Sequence, residues 1–170
     1  MIALRWLALP VVLAACSGKD PYNPGTPLGT YRVKAALTQQ TCGGELPNPW
    51  EFDVKINRDG QTLYWIQGSL PVAGRLDAKA VASFQSTSDV TVRAGDRTRA
   101  ACVVRRDDAL NAQFPGAEDF TSFGGKLSYS YAPEDGSDCL DQLGTTFAAL
   151  PCVVAYSVTA IRTAAPDAGN

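Results

Sequence analysis

The chain has no histidine, and its single methionine is Met1. Without imidazole there is no Ser–His or Cys–His pair to activate a nucleophile. A transition-metal site would have to do without its commonest nitrogen ligand. The five cysteines contain no Cys-x-x-Cys spacing, so the usual zinc and dithiol spacings are missing too. Carboxylate, lysine or tyrosine chemistry stays open, but the prior for catalysis falls. No apolar run approaches the roughly 20 residues that a membrane-spanning helix needs. A basic excess is also lacking: 15 Lys and Arg stand against 17 Asp and Glu, for a net charge of −2. Nucleic acid, which demands a basic face, is thereby excluded as an expected partner, and anionic headgroups lose their electrostatic attraction. What remains is ordinary globular composition, 45% hydrophobic and 19% charged, in 170 residues. That is enough for one domain with one core.

The first sixteen residues read MIALRWLALPVVLAAC. Arg5 supplies a positive start, and residues 6–13 form a short apolar stretch interrupted by Pro10. Leu13-Ala14-Ala15-Cys16 follows: a bulky apolar residue, two small ones and a cysteine. This order resembles the signal and lipobox of bacterial lipoproteins. The resemblance implies cleavage after residue 15 and a diacylglycerol on the thiol of Cys16, with a further acyl chain on its freed amine. At about 0.8 kcal/mol per buried CH₂, several such chains give a permanent membrane anchor. Ser17 follows the cysteine rather than the Asp that retains many Gram-negative lipoproteins at the inner membrane. The resemblance therefore implies a cell-envelope protein, lipid-anchored at the outer membrane of a Gram-negative bacterium.

Residues 17–29 (SGKDPYNPGTPLG) carry three prolines and three glycines. They read as a tether that could extend about 40 Å in polyproline-like form. The expected organisation is a signal over 1–15, lipidated cysteine and tether over 16–29, one β domain over 30–163, and a disordered tail over 164–170.

Within the domain the hydrophobic period is two. Tyr31, Val33, Ala35 and Leu37 alternate with Arg32, Lys34, Ala36 and Thr38; Trp50, Phe52, Val54 and Ile56 alternate with Glu51, Asp53, Lys55 and Asn57. Both segments read as half-buried strands. Asn57-Arg58-Asp59-Gly60 is a turn signal leading into Leu63, Tyr64, Trp65 and Ile66. A two-residue Asp59-Gly60 turn would pair Ile56 with Leu63 and Val54 with Trp65; a three-residue turn would pair Val54 with Tyr64 and Phe52 with Ile66. Further strands are expected at 89–93, 101–106, 125–131 and 152–162. Residues 76–84 are ambiguous between strand and helical turns, and 138–150 has room for a short helix before Pro151. The expected fold is all-β: an antiparallel meander of about seven or eight strands, forming a small barrel or a two-sheet sandwich.

With Cys16 lipidated, Cys42, Cys102, Cys139 and Cys152 remain. An even number in an exported domain predicts two disulfides, for which three connectivities exist. Cys42–Cys102 and Cys139–Cys152 are favoured, the second because it closes a short loop.

Candidate chemistry is sparse. Glu134, Asp135, Asp138 and Asp141 form an acidic stretch that could offer oxygens to Ca²⁺, but EF-hand spacing is missing and a solvated turn explains them. Asp107-Asp108 and Glu118-Asp119 bracket the irregular-looking segment 107–121, where a glycosidase-like acid and base is conceivable and loop solvation is the simpler reading. Arg93, Arg97, Arg99, Arg105 and Arg106 intermix with Asp96, Asp107 and Asp108, which predicts a charge-balanced surface. Trp50, Tyr64, Trp65, Tyr129, Tyr131 and Tyr156 read as core before they read as a ligand platform. No cofactor, metal or catalytic residue is assigned.

Gly29-Thr30-Tyr31 at the head of a disulfide-linked meander resembles the start of a lipocalin, with Tyr where that family usually has Trp. The resemblance implies a barrel holding a small apolar ligand, with no binding residue carried over. Two functions are thus expected in order. The first is a non-catalytic envelope module, on the membrane through Cys16, that docks with another envelope protein. The second is a lipocalin-like carrier. Bulky inward residues meeting at the centre favour the first; small inward residues and an open end favour the second.

Overall fold

The computed structural model describes residues 20–164; the leader, Cys16 and the tail from 165 onward lie outside them. The strands are β1 (Thr26–Gln40), β2 (Trp50–Asp59), β3 (Thr62–Ile66), β4 (Val72–Leu76), β5 (Val81–Arg93), β6 (Cys102–Gln113), β7 (Ser122–Pro133) and β8 (Cys152–Ala164). Each pairs antiparallel with the next, and β8 closes on β1 to give an eight-stranded barrel. Closure gives every strand a neighbour on both sides over part of its length, where a sandwich would leave whole edge strands.

Period two decides what faces inward. In β1, Tyr31, Val33 and Ala35 have no exposed surface, while Arg32 and Lys34 between them are exposed. In β8, Val154, Tyr156, Val158 and Ala160 are buried and Ser157 and Thr159 exposed. An apolar lumen with a charged outer wall is the reverse of a membrane-spanning barrel, whose apolar band faces lipid. The outer wall carries its own pairs, Arg32 with Asp53 at 2.5 Å and Lys34 with Glu51 at 3.8 Å. Gly74 of β4 faces Phe84 of β5 in register; a Cβ there would collide with the Phe84 ring, so glycine makes room for that ring inside the barrel.

The β2–β3 hairpin forms with neither expected register. Asp59 pairs with Thr62 and Ile56 with Trp65, so Gly60 and Gln61 make the turn. Gly60 adopts φ 62°, as the first central position of a two-residue hairpin turn requires. Several strands are longer than hydrophobicity alone indicates. β5 begins at Val81 rather than 89, and β6 runs on to Gln113, so Asp107 and Asp108 lie in a strand and not in a loop. The ambiguous segment 76–84 is the end of β4, a turn built on Asp77, and the start of β5. There Asp77 Oδ1 accepts from the Lys79 and Val81 amides, both at 2.8 Å. The only helix among the described residues is the single 3₁₀ turn Leu140–Gln142.

The described fold also reaches back beyond Thr30, with β1 starting at Thr26. Residues 20–25 fold back against β2, where the buried Asn57 side chain donates to Asn23 Oδ1 at 2.8 Å and to the Pro24 carbonyl at 2.9 Å. This contact explains why Asn57 is buried beside Ile56 against the alternation.

The barrel has two unlike ends. At the end where the described N-terminus enters and β8 leaves, the β6–β7 loop folds beneath the lumen and plugs it. Phe114, Phe120 and Phe123 stack at 5.1 and 5.5 Å, and the Tyr31 hydroxyl donates to the Phe120 carbonyl at 2.5 Å. Arg58 lies 5.1 Å over the Phe120 ring and pairs with Glu118 at 2.8 Å. We call this the closed end, and the opposite one the mouth.

Both disulfides sit at the mouth, and both differ from the favoured pairing. They are Cys42–Cys152, with Cα atoms 5.0 Å apart, and Cys102–Cys139, at 4.7 Å. Barrel closure is the cause of the first. β8 returns beside β1, the Thr41 amide donates to the Val153 carbonyl at 2.9 Å, and Cys42 meets Cys152. The second follows from the β7–β8 loop running back along β6, with the Glu134 amide on the Val103 carbonyl at 2.9 Å and the Asp138 amide on the Ala101 carbonyl at 3.0 Å. Cys42–Cys102 and Cys139–Cys152 therefore do not form.

Candidate functional site

The mouth half of the lumen gathers the chemistry. Arg106 and Asp108 share the parity of the buried Leu110 and Ala112 on β6, so both point inward. The Arg106 guanidinium holds the Asp108 carboxylate through two bonds of 2.6 and 2.8 Å and lies 4.7 Å over the Tyr129 ring. Two parallel bonds of this kind fix orientation as well as charge. Burial, then the negative Asp108, hold the Tyr129 phenol above its ordinary pKa. It stays protonated at neutral pH. The sequence alone interprets Arg106 and Asp108 as surface charge; counting period two back from Leu110 would have placed them inside.

Of the aromatics, Trp50, Trp65, Tyr129, Tyr131 and Tyr156 lie on the inward face. Tyr64 alternates between the inward Leu63 and Trp65 and lies on the outer one. The inward rings pack on one another rather than around a space. Trp65 reaches Phe52 at 6.2 Å, Phe84 at 6.0 Å and Phe123 on the far wall at 6.1 Å. Above this plug a cavity of about 70 Å³ remains, lined by Trp65, Val72, Phe84, Ser86, Leu127 and Tyr129 among others. Small-molecule pockets usually measure about 300–1,000 Å³.

The β7–β8 loop roofs the mouth. Phe147 and Leu150 pack against the main core and also against a second cluster of Cys102, Val104 and Cys139. Glu134, Asp138 and Asp141 of the acidic stretch hold this loop down. Asp138 accepts from Arg99 at 3.0 Å; Asp141 lies 3.1 Å from Arg93 and 3.3 Å from Arg99; Glu134 lies 2.5 Å from Arg105. The hydrogen bond from Arg99 holds the Asp138 carboxyl below its usual value. Arg93, Arg99 and Arg105 are thus neutralised across the loop by the acidic stretch, whereas Arg106 keeps the nearby Asp108 as its partner. Among the described residues no three Asp, Glu or Cys side chains come together as metal ligands.

The two pairs of neighbouring carboxylates do not converge. Asp107 points outward and accepts from Thr87 at 2.7 Å, and Asp108 is held by Arg106 in the lumen. Glu118 is held by Arg58 at the closed end, and Asp119 caps its own loop through the Thr121 hydroxyl at 2.7 Å.

The wall is incomplete on one side of the mouth. β3 pairs with β2 only over residues 55–59, and β4 pairs with β5 only over residues 82–84. Residues 50–54 of β2 and 85–93 of β5 therefore have a strand on one side alone. Between these two free edges the short β3–β4 hairpin leaves a notch, and the cavity lies at its base.

No family model matches the chain, and no curated protein or solved structure does so either.

Proposed function

We propose that this chain is a lipid-anchored envelope protein whose barrel is a non-catalytic docking module. The observation that carries the reading is the filled lumen. Rings from opposite walls meet at Trp65, and the cavity left in the lumen, about 70 Å³, is well below the roughly 300–1,000 Å³ of ordinary small-molecule pockets. The acids and bases that catalysis would need are spread over both ends and spent on structural pairs.

Anchoring rests on the sequence Leu13-Ala14-Ala15-Cys16. Three residues lie between Cys16 and Asp20, so the four steps from one to the other reach at most about 14 Å. The tether is then far shorter than the 40 Å allowed by composition, because residues 20–25 are held on β2. The closed end would face the outer membrane, and the stapled mouth would face away, towards an envelope partner.

A lipocalin-like carrier is the second reading, favoured by the eight-stranded closed meander with Gly29-Thr30-Tyr31 at its plugged end. Two measurements on the full chain, exported from a Gram-negative host, test both. Cys16→Ala should lose lipid labelling and detergent partitioning; retention of both sinks the anchor. A native mass spectrum should show the lipidated chain without further mass. A bound molecule near one-to-one, released on denaturation, would replace the docking module with the carrier.

A further inference from the structure

We infer that the notch between β2 and β5 takes an extended segment of a partner protein. The segment adds as a strand to the free edge of β5 and places one small branched apolar side chain in the cavity beneath it. The inference rests on the docking-module reading and names what that module recognises.

Two independent features meet at this place. The first is the edge itself. Residues 85–91 of β5 are paired with β6 without a break, a bulge at Val92 precedes the last pair at Arg93, and β4 pairs nowhere beyond Phe84. Alternate residues of an antiparallel strand direct both their N–H and C=O to the same side. The outer side of this stretch is therefore a row of backbone donors and acceptors that no strand satisfies. An extended backbone is the chemistry that satisfies such a row. The protections against strand addition are confined to Asp89 and to the bulge and Arg93 at the far end: residues 85–88 carry no charge and no proline, and residues 85–91 are exposed.

The second feature is the cavity at the base of the edge. Ser86 and Phe84 of β5 form its near wall, and Trp65, Leu127 and Tyr129 its floor. In strand addition every second side chain of the incoming segment points to one face, so one of them is delivered into the lumen. About 70 Å³ suits a valine- or leucine-sized side chain and excludes an aromatic ring beside the rings already there. Asp108, which lines the cavity, is already neutralised by Arg106 through two bonds, so the site offers no net charge to a lysine or a glutamate.

The chain's own ends are poor occupants. The described N-terminus and β8 both end at the closed end, with β8 across the barrel from the β4–β5 junction. A second copy is a different occupant. Antiparallel pairing of the free stretch 85–93 with itself about its middle residue would set Asp89 directly against its own copy, and like charges opposed in this way are unfavourable.

The test uses the full-length, disulfide-intact chain and a panel of nonapeptides alternating Thr and Val, with the central residue varied over Gly, Ala, Val, Leu, Phe, Lys and Glu. Affinity should peak at Val or Leu, about tenfold above Gly, Lys and Glu. Amide exchange should slow at alternate residues within 85–93 and nowhere else in the barrel. Ser86→Trp, which fills the cavity from an exposed position, should flatten the ranking while the disulfides and the circular dichroism stay unchanged. N-methylation of alternate peptide amides should abolish binding. A flat ranking with the unaltered chain, no binding across the panel, or protection elsewhere overturns the inference. So does concentration-dependent protection of the same amides without peptide, which would assign the edge to a second copy. A chain that is lipidated and free of bound ligand yet ignores the panel keeps the docking-module reading and loses only this partner.

Discussion

Trp65 of β3 and Phe123 of β7 stand on opposite walls of the barrel, and their rings meet edge to face 6.1 Å apart. The contact closes the lumen at mid-height and divides it into a plugged half around Tyr31 and a shallow half around Tyr129. Trp65→Ala should cost about 3–5 kcal/mol, since the surrounding rings are tied to separate strands and can collapse only in part. Urea unfolding measures the cost. The same variant should take up a small apolar probe such as benzene that the unaltered chain refuses. A loss below 1 kcal/mol would mean that the walls close over the gap and that the plug is not what fills the barrel.

The two disulfides should differ in weight. Cys42–Cys152 closes a separation of 110 residues and Cys102–Cys139 one of 37. In the chain-entropy model these are worth about 5 and about 4 kcal/mol, with native strain and residual structure lowering both. Replacing Cys42 and Cys152 together by alanine should therefore lower the thermal midpoint more than replacing Cys102 and Cys139. Non-reducing peptide mapping settles the pairing directly: a fragment joining Cys139 to Cys152 would contradict the barrel closure described above.

Much of this architecture is legible in the residues. The alternation from Tyr31 to Leu37 and from Trp50 to Ile56 marks both strands and their inner faces, because period two is a local property. Closure is not local. Nothing near Cys152 states that β8 will lie beside β1, so the nearest cysteine in sequence is not the nearest in space. The hairpin register differs from both expected ones for a smaller reason: Gly60 sits at the first turn position instead of the second, which moves every cross-strand pair. At the mouth, Arg106 and Asp108 look like surface charge in the sequence because polarity outweighs parity in a local reading. The free edge of β5 is invisible until the shortness of β4 is known. The leader and Cys16 lie outside the described residues, and their reading still stands on the sequence.

Acid should loosen the roof before the barrel. Asp138 is held low by its bond from Arg99 and then by the Leu140 amide. Asp141 is held low although desolvation opposes it, through Gln142, Arg93 and Arg99. A carboxyl whose folded pKa lies below its unfolded one contributes stability that is present above the unfolded value and lost as the pH falls through the folded value. The window therefore lies below pH 3.8, the ordinary value of the group. Amide protection factors over residues 134–143 should fall in that window while those of β1 and β8 hold. Asp138→Asn should bring the loosening to neutral pH. Equal protection of the loop at neutral pH and below 3.8 would mean that the Cys102–Cys139 bond alone holds it.

Alkali should attack the other end, through Tyr31. Burial is the main reason its phenol is pushed up to about 12, with Arg162 opposing and Asp119 adding a little. The hydroxyl also donates to the Phe120 carbonyl, a bond that a phenolate cannot make. Because the folded pKa lies above the unfolded value of 10.0, this group's contribution is whole below pH 10 and is lost as the pH rises towards 12. Two pH units correspond to roughly 2–3 kcal/mol. Tyr31→Phe separates the two effects. It should cost about 1–3 kcal/mol at neutral pH, by leaving the Phe120 carbonyl without its donor. Above pH 10 its stability should fall less steeply than that of the unaltered chain, the remaining slope belonging to Tyr129 and Tyr156, whose phenols burial also raises. Denaturant midpoints of both chains across this range make the comparison. Parallel curves would show that Tyr31 does not govern the alkaline loss, and that the plug at the closed end is held by its phenylalanines alone.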